Sequence, residues 1–166
     1  MNKNAEFDKI LAENKDKIFR ICCAYEKDKD DRDDLFQQIL INLWKSLDNF
    51  KGLSSLSTWV YRVAVNTSLV HVKSAVTRKN RFTALSENTN SVYNNSDADE
   101  KLETERQTRK LYGCINMLAE FDRLIISLVL EDMSYKEISE ITGITVNNVG
   151  VKINRIKKEL ARLLGE

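Results

Sequence analysis

The absence of proline is the strongest constraint on the fold of this chain. Its 166 residues include no proline and only five glycines. Sandwiches and barrels join many short strands through tight turns, and those turns depend on glycine and proline. The hydrophobic fraction of 42% is ordinary for a chain that buries a core. The composition therefore favours a chain built of helices with few turns.

Apolar residues recur at helical spacing over most of the sequence. An amphipathic face runs from Phe7 to Cys22, and further helices are predicted at 33–47 and 55–74. Helical spacing resumes at Leu102 and covers four short segments, near 101–117, 119–131, 134–142 and 146–164. The predicted fold class is therefore all-α.

The segment between these two helical regions has a different composition. Nine of the twenty residues at 81–100 are Asn, Ser or Thr, and the apolar periodicity disappears there. Polar segments of this kind bury too little apolar surface to order themselves. We predict two small helical domains, at 1–80 and 101–166, joined by a flexible linker at 81–100.

The charge is nearly balanced overall but concentrated locally. The formal net charge is +1, yet residues 152–162 carry five positive charges and one negative, and 78–81 holds three more cations. Local basic stripes of this kind can attract a polyanionic partner even though the net charge of the chain is close to zero.

Residues 134–145 have the sequence of a helix, a tight turn and the start of a second helix. Ser134 and Glu137 have the spacing of a capping box. Gly143 can close the turn because it adopts positive φ cheaply, and Thr145 can cap the next helix. This is the layout of a helix-turn-helix.

The helix after Thr145 has two faces. Its apolar residues recur every three or four positions and are expected to pack on the core: Val149, Ile153, Ile156, Leu160 and Leu163. Offset by about 200° lie Val151, Arg155, Lys158 and Arg162, with Asn147, Asn148 and Lys152 near the helix start. Lys and Arg attract phosphate, while Asn and Arg can read base edges. A solvated basic face on an ordinary amphipathic helix would give the same pattern.

The helix predicted at 33–47 is apolar around most of its circumference. Either it lies at the centre of its own bundle, or part of it awaits a protein partner. The segment that follows interleaves aromatic, basic and amide side chains, which suits single-stranded nucleic acid because rings stack on bases and cations follow the backbone. Trp59 is better explained as core, whereas apolar packing does not explain Lys51, Arg62 and Asn66.

An enzyme is poorly supported by these residues. The chain holds one His, no acid pair beside a nucleophile and no glycine-rich phosphate loop, and its acidic run at 28–34 lacks the register of a calcium loop. We expect no catalytic residue, no cofactor and no metal. Cys22, Cys23 and Cys114 fit free thiols of a reducing cytosol. No export signal or membrane insertion is expected, which indicates a cytoplasmic protein.

Three segments together resemble the extracytoplasmic-function (ECF) sigma factors, small two-domain subunits of bacterial RNA polymerase. Residues 34–44, D-L-F-Q-Q-I-L-I-N-L-W, are similar to the family's D-L-x-Q-E-x-F-x-x-x-W. Residues 50–52 and 58–66, F-K-G and T-W-V-Y-R-V-A-V-N, are similar to its F-R-G and T-W-L-Y-R-I-A-x-N. The third segment is S-Y-K-E-I at 134–138 with the helix-turn-helix after it. The resemblance therefore spans essentially the whole chain.

The resemblance implies a sigma region 2 bundle, a sigma region 4 helix-turn-helix and a function in transcription initiation. The polymerase β′ clamp helices would be bound through Asp34, Leu35, Gln37, Gln38, Ile41 and Trp44. The promoter −10 element would be opened, with one base flipped, by Phe50, Lys51, Gly52, Ser54, Ser55, Arg62 and Asn66. The −35 duplex would be read by Asn147, Asn148, Val151, Lys152, Arg155 and Lys158, with the second domain on the β-flap. An anti-sigma factor is the family's usual regulator.

The chain departs from the family pattern at a few positions. Gln38 stands where an acidic residue is common, and Val70 where Asp is common. In the second helix of the helix-turn-helix, Gly150 and Val151 replace the usual Arg or Lys and Ser, which bears on −35 sequence choice. Two other functions are open: a helix-turn-helix regulator that acts without polymerase, and a helical adaptor. Binding to core polymerase separates a sigma factor from both.

Overall fold

The computed structural model describes residues 2–82 and 99–165, with side chains described for 2–74 and 101–165. Regular structure over these ranges is helical, which confirms the all-α prediction. Within the same ranges, no helix combines the length and the apolar character needed to cross a bilayer. The elements are α1 (Lys3–Tyr25), α2 (Lys29–Ser46), a 3₁₀ turn (Leu47–Asn49), α3 (Leu56–Phe82), α4 (Asp99–Ile115), α5 (Glu120–Leu130), α6 (Tyr135–Thr142) and α7 (Val146–Leu164).

Helix α2 lies between α1 and α3 and contacts both. Its Leu35, Ile39 and Leu43 recur every four residues and are fully buried. The core around them includes Ile18, Ile21, Val60, Tyr61 and Ala64. Helix α2 therefore buries one side against α1 and α3, and part of its remaining apolar surface, including Ile41 at 45% exposure, faces outward.

Helix α2 begins at Lys29, four residues before the start predicted from apolar spacing. The carboxylate of Asp28 accepts hydrogen bonds from the backbone N–H groups of Asp30 and Asp31, at 2.9 and 3.3 Å. Carboxylates at a helix start also interact favourably with the helix dipole. The acidic run at 28–34 is thus a capped first turn, which a search for apolar periodicity does not detect.

The helix-turn-helix prediction is confirmed at each of its turns. The Ser134 hydroxyl accepts from the Glu137 N–H at 3.2 Å, and the Glu137 carboxylate accepts from the Ser134 N–H at 2.8 Å. Hydrogen bonding from Ser134 holds the pKa of Glu137 below its usual value. Gly143 has φ 78°, and the Thr145 hydroxyl accepts from the Asn148 N–H at 3.2 Å. Local sequence alone therefore sets the angle between α6 and α7.

Helix α7 packs through the face predicted for it. Val149, Ile153, Ile156 and Leu160 are buried, and Leu163 is half-buried. The backbone of Gly150 lies under the Tyr135 ring, so that a Cβ added there would sit 3.5 Å from the ring carbon Cε2.

The two helical regions pack against each other. Helix α1 contacts α4 and α5, while α3 contacts α6. The buried apolar side chains of both regions form one core cluster. At the junction, the Asn116 side-chain amide donates to the carbonyl of Cys23 at 3.2 Å.

The predicted linker at 81–100 lies mostly outside the described residues, which omit 83–98. Helix α3 runs through Phe82, beyond the end predicted near residue 74, and α4 begins at Asp99. Residues 75–82 contain no glycine or proline that would stop the helix. The domain boundaries stay a prediction.

We expect Gly150→Ala to raise the free energy of unfolding by about 0.5–1 kcal/mol. Alanine has fewer backbone conformations than glycine in the unfolded chain, so less conformational entropy is lost on folding. The new methyl group would meet Tyr135 at an ordinary van der Waals distance. Gly143→Ala is the matched control, since a methyl group at φ 78° is strained and should lower stability. Urea unfolding followed by circular dichroism measures both. A loss of stability in Gly150→Ala would contradict the packing of α6 on α7.

Candidate nucleic-acid interface

The loop between α2 and α3 is anchored at its start and exposed at its tip. The Phe50 N–H donates to the Leu47 carbonyl at 3.1 Å, and the Phe50 ring lies 5.1 Å from that of Trp59. Lys51 and Gly52 are exposed, and Gly52 turns the chain with φ 69°. The loop therefore presents the exposed Lys51 next to the Phe50 ring, which is held in place by Trp59.

Leu53, at the tip of this loop, is a candidate that the sequence analysis missed. Its side chain is 91% exposed, the most of any large apolar residue in the described ranges. An apolar residue was expected to be core, and only its place after Gly52 could have indicated otherwise.

Ser54 and Ser55 differ in how free their hydroxyls are. The Ser55 hydroxyl oxygen accepts from the Thr58 N–H at 3.1 Å and lies 2.8 Å from the Thr58 hydroxyl, so it caps the start of α3. The Ser54 hydroxyl makes only a 3.3 Å contact with the Ser55 carbonyl. The Ser54 hydroxyl is thus less engaged in hydrogen bonds, while Ser55 is the more exposed residue.

Asn66 lies on a cleft of about 610 Å³ between α2 and α3, lined by amide and hydroxyl side chains together with Val63 and Val70. Gln38 and Asn42 of α2 face it, joined by a 3.2 Å hydrogen bond, and Asn42 donates to the Thr67 hydroxyl at 3.0 Å. The cleft brings together Gln38, predicted for polymerase binding, and Asn66, predicted for the −10 element. Amides in an open polar cleft can hydrogen-bond the edge of an unstacked base.

Arg62 is not free in this arrangement. Its guanidinium donates to the backbone carbonyl of Glu140 at 3.1 Å, which links α3 to α6. A residue predicted to contact the −10 element is therefore held by the helix-turn-helix.

A buried carboxylate lies beside that contact. Glu131, at the end of α5, has a side chain only 3% exposed and receives two hydrogen bonds from Arg20, at 2.5 and 2.8 Å. The Tyr61 hydroxyl donates to it at 3.1 Å. Burial raises the pKa of Tyr61, and the Glu131 charge raises it further. Hydrogen bonding to Glu131 raises the pKa of Arg20, so both partners keep their protons.

The predicted −35 surface on α7 is open. Asn147, Asn148, Val151, Arg155 and Lys158 are all exposed. Lys152 is half-buried instead, with its ammonium 3.3 Å from Asp122 and 5.2 Å from the centre of the Phe121 ring. Lys152 therefore packs within the region that carries α7, whereas Arg155, whose guanidinium lies 3.9 Å from the same Asp122 carboxylate, keeps its side chain 68% exposed.

The residues predicted to bind polymerase divide by burial. Asp34, Gln37 and Gln38 are exposed and Ile41 is 45% exposed, so these four share an accessible surface. Trp44 is half-buried beneath the Phe7 ring, whose centre is 5.3 Å away. Leu35 is fully buried, so its side chain belongs to the core and offers no surface to a partner.

The three thiols are free, with Cys22 and Cys114 buried and Cys23 half-buried. Burial raises the pKa of Cys22 to about 12, so this thiol stays protonated and unreactive. The described residues hold no group of three or more His, Cys, Asp or Glu placed to bind a metal ion.

Comparison with known families places both helical regions in one class of protein. The family model "Sigma-70 region 2" matches residues 10–78, and "Sigma-70, region 4" matches residues 108–160. The chain is 28% identical over 160 residues to the ECF RNA polymerase sigma-E factor of Haemophilus influenzae, covering 92% of this chain and 84% of that protein. It is 24% identical over 166 residues to the RNA polymerase sigma-H factor of Pseudomonas aeruginosa, covering 95% and 86%.

Solved structures share the fold. The sigma factor RpoE, in complex with the anti-sigma factor NepR from Bartonella quintana, matches with a TM-score of 0.75 at 18% identity over 96% of both chains. CnrH, in complex with the cytosolic domain of CnrY, matches with a TM-score of 0.67 at 20% identity over 97% of this chain and 88% of that one.

Removing the buried carboxylate should destabilise the protein. We expect Glu131→Ala to cost about 1–3 kcal/mol, because the buried Tyr61 hydroxyl loses its acceptor and Arg20 loses its ion pair. Glu140→Ala is the control, since only its backbone carbonyl is used. Urea unfolding measures both variants, and equal losses would contradict the role of the Glu131 side chain.

Proposed function

Because this chain belongs to the ECF family of RNA polymerase sigma factors, we propose that it binds core RNA polymerase, directs it to specific promoters and helps to melt the −10 element. One observation carries the proposal: an anchored, exposed loop and a cleft lined by amide side chains lie in the same chain as a helix-turn-helix with an open basic face. A regulator that binds only duplex DNA needs the helix-turn-helix, but such a function does not explain the exposed loop and the cleft.

The −10 element would meet the loop and the first half of α3. Lys51 would attract the backbone, and the Asn66 amide would hydrogen-bond an unstacked base. Arg62 can join them only after its bond to the Glu140 carbonyl breaks. We therefore infer that the two helical regions separate, at least locally, when the −10 strand is bound.

The −35 element would be read as duplex by the exposed face of α7. Asn147 and Asn148 lie in the first turn, where a recognition helix meets base edges. Arg155 and Lys158 follow about two and three turns later and would contact phosphates or bases. Val151, 62% exposed, offers only an apolar surface, which suits contact with a thymine methyl group.

Core polymerase would bind the exposed part of α2. Asp34, Gln37 and Gln38 supply charge and hydrogen bonds there, and Ile41 supplies an exposed apolar side chain. This mixed composition is typical of a protein interface. We propose the β′ clamp helices as the partner of α2 and the β-flap as the partner of the second region.

We propose further that the chain does no chemistry itself, acts in the cytoplasm and is controlled by an anti-sigma factor. Two structures of similar fold hold partners of that kind: RpoE in complex with the anti-sigma factor NepR, and CnrH with the cytosolic domain of CnrY.

The decisive experiment is a permanganate footprint with the purified chain, core polymerase and upstream DNA from the source genome. Unpaired thymines near the −10 position that require both proteins would establish the proposed function. Duplex binding without polymerase and without melting would favour the ordinary helix-turn-helix regulator instead. Neither signal would favour a helical adaptor.

Two substitutions should separate melting from polymerase binding. Asn66→Ala should reduce permanganate reactivity while leaving association with core polymerase unchanged, because Asn66 faces the cleft. Ile41→Asp should weaken association by about tenfold or more, because it places a charge on the exposed apolar site.

Val146→Asp is the control for association through α2, since Val146 is similarly exposed, at 48%, but lies beside Asn147 on the part of α7 proposed to face DNA. Circular dichroism checks the fold of each variant. Equal loss of both activities in Asn66→Ala would count against its role in melting.

The basic face of α7 predicts a salt effect. Arg155→Ala should weaken binding of the polymerase complex to −35 duplex and lower the slope of log K against log salt by about one. Lys157→Ala, which removes an exposed charge of the same helix from the opposite flank, should change the slope less. Fluorescence anisotropy over a series of salt concentrations measures both slopes, and an unchanged slope in Arg155→Ala would remove this assignment.

A further inference from the structure

A second cleft lies at the junction of the two helical regions, away from the surfaces assigned above. It has a volume of about 300 Å³. Phe19 of α1, Lys27 and Arg32 line it from one side, and Arg109 and Tyr112 of α4 line it from the other. The proposed function uses none of these residues.

The charge of this cleft is one-sided. Three cations, Lys27, Arg32 and Arg109, line it, and no acidic side chain of the described residues does so. The ion pairs found in the described part of the chain involve none of these three. Like charges gathered without a counter-charge repel one another, so an anion bound among them would be stabilised.

Arg32 supplies an independent observation. Its Nη1 donates to the carbonyl of Lys27 at 2.8 Å, but its Nε is buried and has no hydrogen-bond partner. A buried donor without an acceptor is costly, and a charged one more so. Because Nε is closed to solvent, a bound anion would meet the outer guanidinium nitrogens of Arg32, whose planar geometry matches phosphate.

The aromatic side chains that line the rest of the cleft could pack against a flat apolar part of a ligand. Phe19 is 42% exposed, unusual for a large aromatic side chain, and Tyr112 is half-buried opposite. A volume near 300 Å³ is at the small end of ligand pockets, which suits a single small molecule.

We propose that this cleft is a binding site for a small phosphate ester, of which a nucleoside monophosphate is the fitting example. Its phosphate would lie among Lys27, Arg32 and Arg109, and its flat part against Phe19. A phosphate monoester carries close to two negative charges and three acceptor oxygens, which matches three cations better than a carboxylate does. Since the walls come from both helical regions, the bound ligand would also hold α4 against α1.

Isothermal titration calorimetry of the full chain tests the proposal. Adenosine monophosphate and inorganic phosphate are the two probes, at an ionic strength held constant with sodium chloride. Saturable binding at one site per chain is expected. Tighter binding of the nucleotide would show that the flat part contributes, whereas equal affinities would identify phosphate alone as the ligand group. No saturable binding of either probe would overturn the proposal.

Two arginines of α4 give a matched pair of variants. Arg109→Gln should weaken binding by about tenfold, the value of one charged hydrogen bond. Arg106→Gln removes the same charge three residues away, outside the cleft, and should leave the affinity unchanged. Equal weakening in both would show general charge attraction and overturn the site. Arg32→Lys, which keeps the charge but removes the planar guanidinium, should also weaken binding.

Discussion

The arrangement of the two helical regions depends on the buried carboxylate of Glu131. A carboxylate removed from water is stable only if donors replace the lost hydration. Here Arg20 and Tyr61, on α1 and α3, supply three hydrogen bonds to a residue at the end of α5. Together with the hydrogen bonds of Asn116 to Cys23 and of Arg62 to Glu140, this match fixes how the apolar surfaces of the two regions meet.

Because of this junction, one of the two proposed DNA-binding surfaces is open to DNA, while a residue of the other is already hydrogen-bonded within the protein. The face of α7 is open, so duplex can reach Arg155 directly. Arg62, in contrast, is engaged by the Glu140 carbonyl. One such hydrogen bond contributes only about 1 kcal/mol, so a DNA phosphate or base that binds Arg62 can replace the Glu140 carbonyl as its partner. The same junction forms the walls of the basic cleft around Arg32, which links the proposed ligand to the closed arrangement.

The features that the sequence predicted best are those set by neighbouring residues. The capping box of Ser134 and Glu137, the turn at Gly143 and the cap at Thr145 each involve groups within a few positions, so their chemistry can be read directly. Ends of helices were predicted less well. Helix α2 starts early because Asp28 caps it, and apolar spacing does not report a polar first turn.

The sequence by itself determined the helices, the helix-turn-helix and the exposed basic face of α7, because periodicity and capping act over short distances. Only the tertiary structure decided which side of α2 is buried, placing Leu35 inside and Ile41 outside, since an apolar residue is compatible with either. It also decided the contact of Arg20 with Glu131, 111 positions apart. No local pattern encodes a pairing at that separation, which exists only because α1 and α5 are brought together by the packing of the whole core.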